Sequence, residues 1–214
     1  LLVTLFSLIF SLCHAEDQST KSLTQVTLQL MWKHQFEFAG FYAAVEQGYY
    51  NELGLDVEIR EYQDDKDLVN EVTSGRAQYG VSDSSLIIHR SHGDPVVLLA
   101  NLFQHSPMVL LSRADAQVYS PAQMVGKDIM LSAHEKDNAS IIAMLNTESV
   151  KLEQMTIKEH SFNIEDFISG KVDIISAYAT NEPGILKERN FEFNIIDPIN
   201  YGIDFYGNNI FTSE

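Results

Sequence analysis

Cysteine is almost missing from this chain of 214 residues: Cys13 is the only one. It falls within Leu1 to Ala15, LLVTLFSLIFSLCHA, an uncharged apolar stretch that closes on small residues and reads as part of a signal peptide. Cleavage after Ala15 would leave no cysteine, which excludes a disulfide framework, a thiolate metal site and a cysteine nucleophile. A buried strand or helix is the alternative reading, opposed by the polar run Glu16 to Ser22, and a lipoprotein anchor at Cys13 is weakened by Leu12, where a small residue is wanted. With no basic start and no initiator Met, the chain is expected to begin inside this leader. Positive charge is also scarce. Fourteen Lys and Arg face 30 Asp and Glu, for a formal net charge of −16. That balance argues against a surface built to hold nucleic acid or anionic lipid. Past residue 15 no apolar run approaches the roughly 18 residues of a membrane span, so the chain is expected to be exported and soluble as far as Glu214. Ser-His-Asp order and Gly-rich phosphate loops are lacking too. His89 and His92 stand three apart without a third ligand, so they read as surface residues and no metal is expected.

What is present is an ordinary globular composition, 45% hydrophobic and 21% charged. The central stretch is Leu28 to Tyr50, LQLMWKHQFEFAGFYAAVEQGYY, which begins as an alternating strand and ends as an amphipathic helix closed by Gly48. A connection from strand to helix lies at the carboxyl edge of a sheet, where open α/β folds bind ligands. The periodicity predicts strands over Val26 to Met31, Leu55 to Tyr62 and Ala77 to Val81, with helices over Phe38 to Gln47, Asp64 to Ser74 and Ser85 to Ser91. Pro95 to Phe103 reads as a strand buried on both faces, and Met108 to Ser112 as a further strand. The pattern then restarts. Strands are predicted over Lys127 to Leu131, Met155 to His160, Val172 to Ala177 and Phe193 to Ile196. Helices are predicted from Pro121 and over Ala139 to Thr147, Ile164 to Ser169 and Glu182 to Arg189. The fold class is α/β, with mainly parallel sheets and helical crossovers.

The two halves echo each other. Glu71 to Asp83, EVTSGRAQYGVSD, matches Asp166 to Tyr178, DFISGKVDIISAY, in kind: a helix end, Ser-Gly, a basic residue, then a strand running into a polar loop. Gly75 and Gly170 are expected in the left-handed cap conformation. Asp83 and Tyr178 are then expected at equivalent strand ends, facing one another across a cleft.

The segments WKHQFEFAGFYAAVEQGYYNELGLDV, SGRAQYGVSDS, FQHSPMVLLSR and SAYATNEP together resemble the periplasmic solute-binding proteins of ABC transporters in the thiamine-pyrimidine-synthase-like, SsuA-like group. The resemblance covers roughly Val26 to Glu214. It implies a two-lobed type 2 clamshell, with residues 26–112 and 197–214 as lobe one and 113–196 as lobe two, in a chain that continues past Glu214. It further implies a periplasmic protein that binds a small heteroaromatic solute, above all a thiamine pyrimidine precursor, for uptake through an ABC transporter permease. The alternative is a ligand-sensing input domain fused to a membrane-bound histidine kinase or diguanylate cyclase, tethered to the inner membrane by its C-terminal side. The family's enzyme, which makes the thiamine pyrimidine from histidine and pyridoxal phosphate, is the remaining reading. It has a lysine where this chain has Asp83, a histidine where this chain has Ile87, and cysteines where this chain reads Asn200 to Gly207. An aspartate forms no Schiff base, so neither catalysis nor a cofactor is expected.

Trp32, His34, Gln35 and Phe38, with Tyr42 one helical turn on, are candidates for an aromatic and polar wall; for Trp32 and Tyr42 the alternative is core packing. Ser82 and Asp83 offer donors and an acceptor at the next strand end, their alternative being helix capping. Tyr178, Asn181 and Glu182 are the corresponding group in lobe two. The Glu182 carboxylate could take paired hydrogen bonds from an aminopyrimidine, or simply begin the next helix.

Overall fold

The structure, a computed structural model, describes residues 22–63 and 65–214. The expected leader and Cys13 lie outside the described residues. Among the latter no helix is long and apolar enough to cross a membrane.

The first half runs β1 (Thr24–Gln29), α1 (Ala39–Glu46), α2 (Tyr49–Glu52), β2 (Leu55–Arg60), α3 (Leu68–Thr73), β3 (Tyr79–Ser82), α4 (Leu86–His92) and β4 (Val96–Phe103). The second runs β5 (Met108–Arg113), β6 (Asp128–Leu131), α5 (Ala139–Thr147), β7 (Thr156–Glu159), α6 (Ile164–Ile168), β8 (Ile174–Tyr178), α7 (Glu182–Glu188) and β9 (Phe193–Ile196). A last strand, β10 (Gly207–Ser213), goes back to the first sheet.

Two five-stranded sheets result, in the orders β2-β1-β3-β10-β4 and β7-β6-β8-β5-β9. Position by position they are the same sheet. Each has a parallel trio whose next neighbour, β10 or β5, runs antiparallel to both strands it pairs with. β3 and β8 are therefore equivalent. The residues leading into them are equivalent too: α3 and α6 are capped by the Asp67 and Asn163 side chains, and Gly75 and Gly170 both take φ +80°, as the echo requires.

Several local expectations are corrected. Met108 to Ser112 was expected in the first lobe, yet β5 pairs with β8 and β9 in the second sheet. β4 is an edge strand, with Leu98 and Leu99 about half exposed (52% and 50%) rather than buried on both faces. A continuous apolar run does not distinguish a central strand from an edge whose outer face lacks a cover. The helix expected from Asp64 begins at Leu68, because the Asp67 side chain accepts the Asn70 N–H and fixes the first turn there.

β5 alternates between two cores of the second sheet. Met108 and Leu110 join Ile129, Leu131, Ile141 and Met144 on one face, while Val109 and Leu111 join Met130, Phe167 and Leu186 on the other. The first sheet has one core, of Leu28, Leu30, Phe38, Val72, Val81 and Phe211. The chain crosses between sheets twice, and the crossings hold each other: the Ser106 N–H donates to the Phe205 carbonyl at 2.7 Å and His105 Nδ1 pairs with Asp204 at 2.9 Å.

Phe211 packs so closely on β3 that a Cβ built on Gly80 would stand 2.3 Å from its ring. Gly80→Ala is expected to destabilise the fold by about 1–3 kcal/mol through overpacking, read as a lower urea midpoint at unchanged slope. An unaltered midpoint would mean that this core yields freely.

Candidate functional site

The three adjacent parallel strands of each sheet send their following loops toward the other sheet. After β1 comes Met31 to Phe38, after β2 Tyr62, and after β3 Asp83; their counterparts are Ser132 to Asn138 after β6, His160 and Phe162 after β7, and Tyr178 to Glu182 at the end of β8. Between them lies a narrow cavity of about 410 Å³ of empty space, part of it open to solvent. Trp32, Gln35, Glu37 and Asp83 line it from the first half, and Met108, His134, Glu135, Ser176, Tyr178 and Glu182 from the second.

Trp32 stands at the junction of the halves. Its ring centroid is 6.4 Å from Tyr62 and, across the gap, 5.3 Å from His160 and 4.9 Å from Phe162. The two contacts across the gap are edge-on, which suits aromatic quadrupoles, and Lys33 Nζ lies 5.2 Å from the Phe162 centroid. Asn181 Nδ2 adds a polar crossing, donating to Gln35 Oε1 at 3.2 Å.

Asp83 is buried and fully engaged. Its carboxylate accepts from the Ser85 N–H at 2.7 Å and from Asn138 Nδ2 of the second half at 2.5 Å, with His134 Nε2 3.5 Å away. The His134 nitrogen lacks an aligned hydrogen-bond partner, and this last approach becomes a contact of charges when the ring is protonated. Burial opposes the charge on Asp83, but the His134 ring and the Ser85 N–H outweigh it and hold the carboxyl down at about 2. Burial likewise opposes the His134 proton, and Asp83 with Glu135 raises its pKa above the ordinary value. Ser85 Oγ completes the seam, donating to the Asp137 carbonyl and accepting from the Ala139 N–H.

Glu182 opens α7 and caps the end of β8. One of its oxygens accepts the Tyr178 N–H at 2.8 Å and the other accepts Asn181 Nδ2 at 2.7 Å. The Tyr178 hydroxyl donates to Asn208 Oδ1 of β10 at 3.2 Å, and burial together with Glu37 and Asp83 pushes its pKa well above 10. Glu37 is different. Its Oε1 is shut from solvent without a hydrogen-bond partner, and burial, aided by the charge of Glu182, raises its carboxyl to about 8.

Of the residues expected in the site, Trp32, Gln35, Asp83, Tyr178 and Glu182 come together in the cavity, with Asn181 beside them. Phe38 does not: it is fully buried in the first core. His34 is exposed and its Nδ1 meets the Tyr42 hydroxyl, while Tyr42 packs on the first core. Ser82 is buried at the end of β3, its hydroxyl unpaired, outside the cavity lining. Glu37, His134 and Glu135 escaped the sequence reading. The rule that drew attention to the other strand ends applies equally to the loop after Lys127 to Leu131, which carries His134 and Glu135.

Residues 35–214 match the family model described as NMT1/THI5 like. The chain belongs to that family. It is 26% identical over 181 residues to a riboflavin-binding protein, RibY, of Chloroflexus aurantiacus, a match covering 82% of this chain and 51% of the relative. It is 25% identical to a formylaminopyrimidine-binding protein of Halalkalibacterium halodurans, over 87% of this chain and 57% of that one. The chain thus spans about half the length of these curated relatives. Among solved structures, a Bordetella bronchiseptica protein superposes with a TM-score of 0.72 at 14% identity, covering 88% of this chain and 64% of that one. The alkanesulfonate-binding protein SsuA of Xanthomonas axonopodis, bound to MOPS, superposes with a TM-score of 0.63 at 14% identity, over 89% and 65% of the two chains. These likenesses establish the fold of this NMT1/THI5-like chain as the α/β periplasmic-binding-protein type.

The seam at Asp83 makes a pH prediction. Its folded carboxyl, at about 2, lies below the ordinary 3.8, so the stabilisation is complete above about pH 4 and is lost as pH falls through 2. The His134 contribution runs oppositely, present below its ordinary 6.5 and lost as pH rises through its raised value. Asp83→Asn is expected to cost about 2 kcal/mol at pH 7. In thermal melts the difference from wild type should shrink below pH 4 and vanish near pH 2; a constant difference would refute the assignment.

Proposed function

We propose that this chain binds a small polar heteroaromatic solute in the cavity between its two halves and performs no chemistry on it. The observation that carries the reading is the lining itself. Trp32 and Tyr178 supply aromatic surface from opposite halves, and carboxyl groups converge on the space they bound. Apolar walls with a few placed polar groups are the usual make-up of a small-molecule site. The family supports the ligand class, since relatives are named for riboflavin and for formylaminopyrimidine. Within that class we read a thiamine pyrimidine precursor.

Binding without turnover is supported by Asp83, which stands at the strand end with its carboxylate committed to Ser85 and Asn138, and by Ile87, whose side chain is exposed. The mechanism follows from the seam. Ligand contacts drawn from both halves would shift the population toward the arrangement in which Asp83 meets Asn138 and Trp32 meets Phe162, and a partner can detect that closed form. The partner we propose is an ABC transporter permease, which places the protein outside the cytoplasmic membrane.

Calorimetry against aminopyrimidines, riboflavin, sulfonates and amino acids tests this reading, with Trp32, the only tryptophan, as a fluorescent reporter. Saturable aminopyrimidine binding with a change in Trp32 emission is expected. Binding confined to sulfonates or amino acids would reject the ligand class. Turnover of histidine with pyridoxal phosphate would reject the binding-only role.

A further inference from the structure

The turn Phe36–Phe38 is built the wrong way round for a water-soluble surface. Phe36 is 92% exposed, Phe38 is fully buried, and the acid between them is turned into the cavity. Placing a carboxyl group inward beside a phenyl ring held in water is costly, and nothing among the described residues compensates Glu37 Oε1. Glu182, expected from the sequence to recognise the ligand, already accepts one hydrogen bond on each oxygen. Among the carboxyl groups lining the cavity, Glu37 is the one with an oxygen both shut from solvent and without a hydrogen-bond partner.

We propose that Glu37 is the residue that reads the ligand, its carboxyl group pairing with an edge that carries a ring nitrogen beside an amino group. This rests on the solute-binding reading above and names the feature of the solute that is recognised. A neutral carboxylic acid has one O–H donor and one carbonyl acceptor side by side; the edge of an aminopyrimidine has one acceptor and one donor at matching spacing. Glu37 O–H donates to the ring nitrogen and Glu37 C=O accepts from the amino N–H. The acid must keep its proton for this, and its surroundings favour that. Glu182 and Tyr178 face it from the end of β8, and Asp83, Glu135 and His134 share the cavity. No lysine or arginine is among the lining residues; Lys33 is turned away, donating to the Tyr62 carbonyl at 2.9 Å. Burial and Glu182 together hold the carboxyl proton on up to about pH 8. A sulfonate, which is anionic and brings no donor, would meet negative potential and be rejected, and a ring without the amino group would leave the Glu37 carbonyl unpaired.

The test is calorimetric titration with the free alcohol of the aminopyrimidine half of thiamine, and with the same ring lacking the amino group, from pH 6 to pH 10. Wild type is expected to bind the amino compound with a constant affinity at low pH that falls by about tenfold per unit above about pH 8, with proton uptake on binding in that range. Glu37→Gln keeps a donor and an acceptor on the same side chain, so it should restore binding and remove the pH step. Glu37→Leu should lose about 100-fold, with melting temperatures of both variants recorded to show that they fold. Glu182→Gln should move the step to lower pH while keeping it. Equal affinity for the ring without the amino group, a pH step that survives in Glu37→Gln, or wild-type binding by Glu37→Leu each overturns the proposal while leaving solute binding intact. If nothing in either this pair or the wider panel binds, the solute-binding reading fails and this proposal with it.

Discussion

One strand, β10, completes the first sheet, and much of the molecule depends on it. β4 would have no neighbour without it, since its only pairing in the sheet is with β10. Phe211 fills the first core from this strand against Gly80, and the approach to it supplies the Phe205 carbonyl that ties the two crossings together. Its Asn208, buried and at φ +47°, receives the Tyr178 hydroxyl and so steadies a cavity wall that belongs to the other sheet. From Asn209 to Phe211 β10 has an antiparallel partner on both sides, which suits a strand inside a sheet.

The cavity shows how neighbours, and not residue type, set the state of a carboxyl group. Asp83 and Glu37 are both withdrawn from water, yet one is held at about 2 and the other at about 8. The difference lies in what each meets. Asp83 has an imidazole ring, a backbone N–H and an amide donor; Glu37 has an unpartnered oxygen and another acid. A fixed anion locks the halves together, and a neutral acid remains able both to give and to take a hydrogen bond. The two roles require opposite environments a short distance apart.

What could be read from the sequence was local. Gly75 and Gly170 announce helix ends because only a glycine sits easily at φ +80°, and the cap Asn138 with its helix Ala139–Thr147 follows the apolar period that defines it. What could not be read depends on contacts between distant segments or on a break of period. A short tight turn at Phe36–Phe38 rotates side chains by a different angle from the α-helix that follows, so reading the connection as an open loop placed Phe38 in the site and passed over Glu37. Membership of β5 in the second sheet is decided by β8 and β9, more than 60 residues on. The apolar strand β4 carries no local mark of being an edge. Asp83 and Tyr178 were found because the duplicated pattern carries long-range information in a form that a linear reading can use.

The order in which strands enter the sheets also sets the order in which the molecule can be finished. All the strands of the second sheet lie between Met108 and Ile196, one uninterrupted stretch, whereas the first sheet is opened at Thr24 and closed only by β10. As the chain leaves the ribosome, the half made later can be complete while the half made first still waits for its fifth strand. Until then Gly80, Val81 and the leucines of β4 face an unfilled slot. Such a gap is open to other strands as well as to its own, so holding this nascent half apart from its neighbours is a task for the cell's folding machinery.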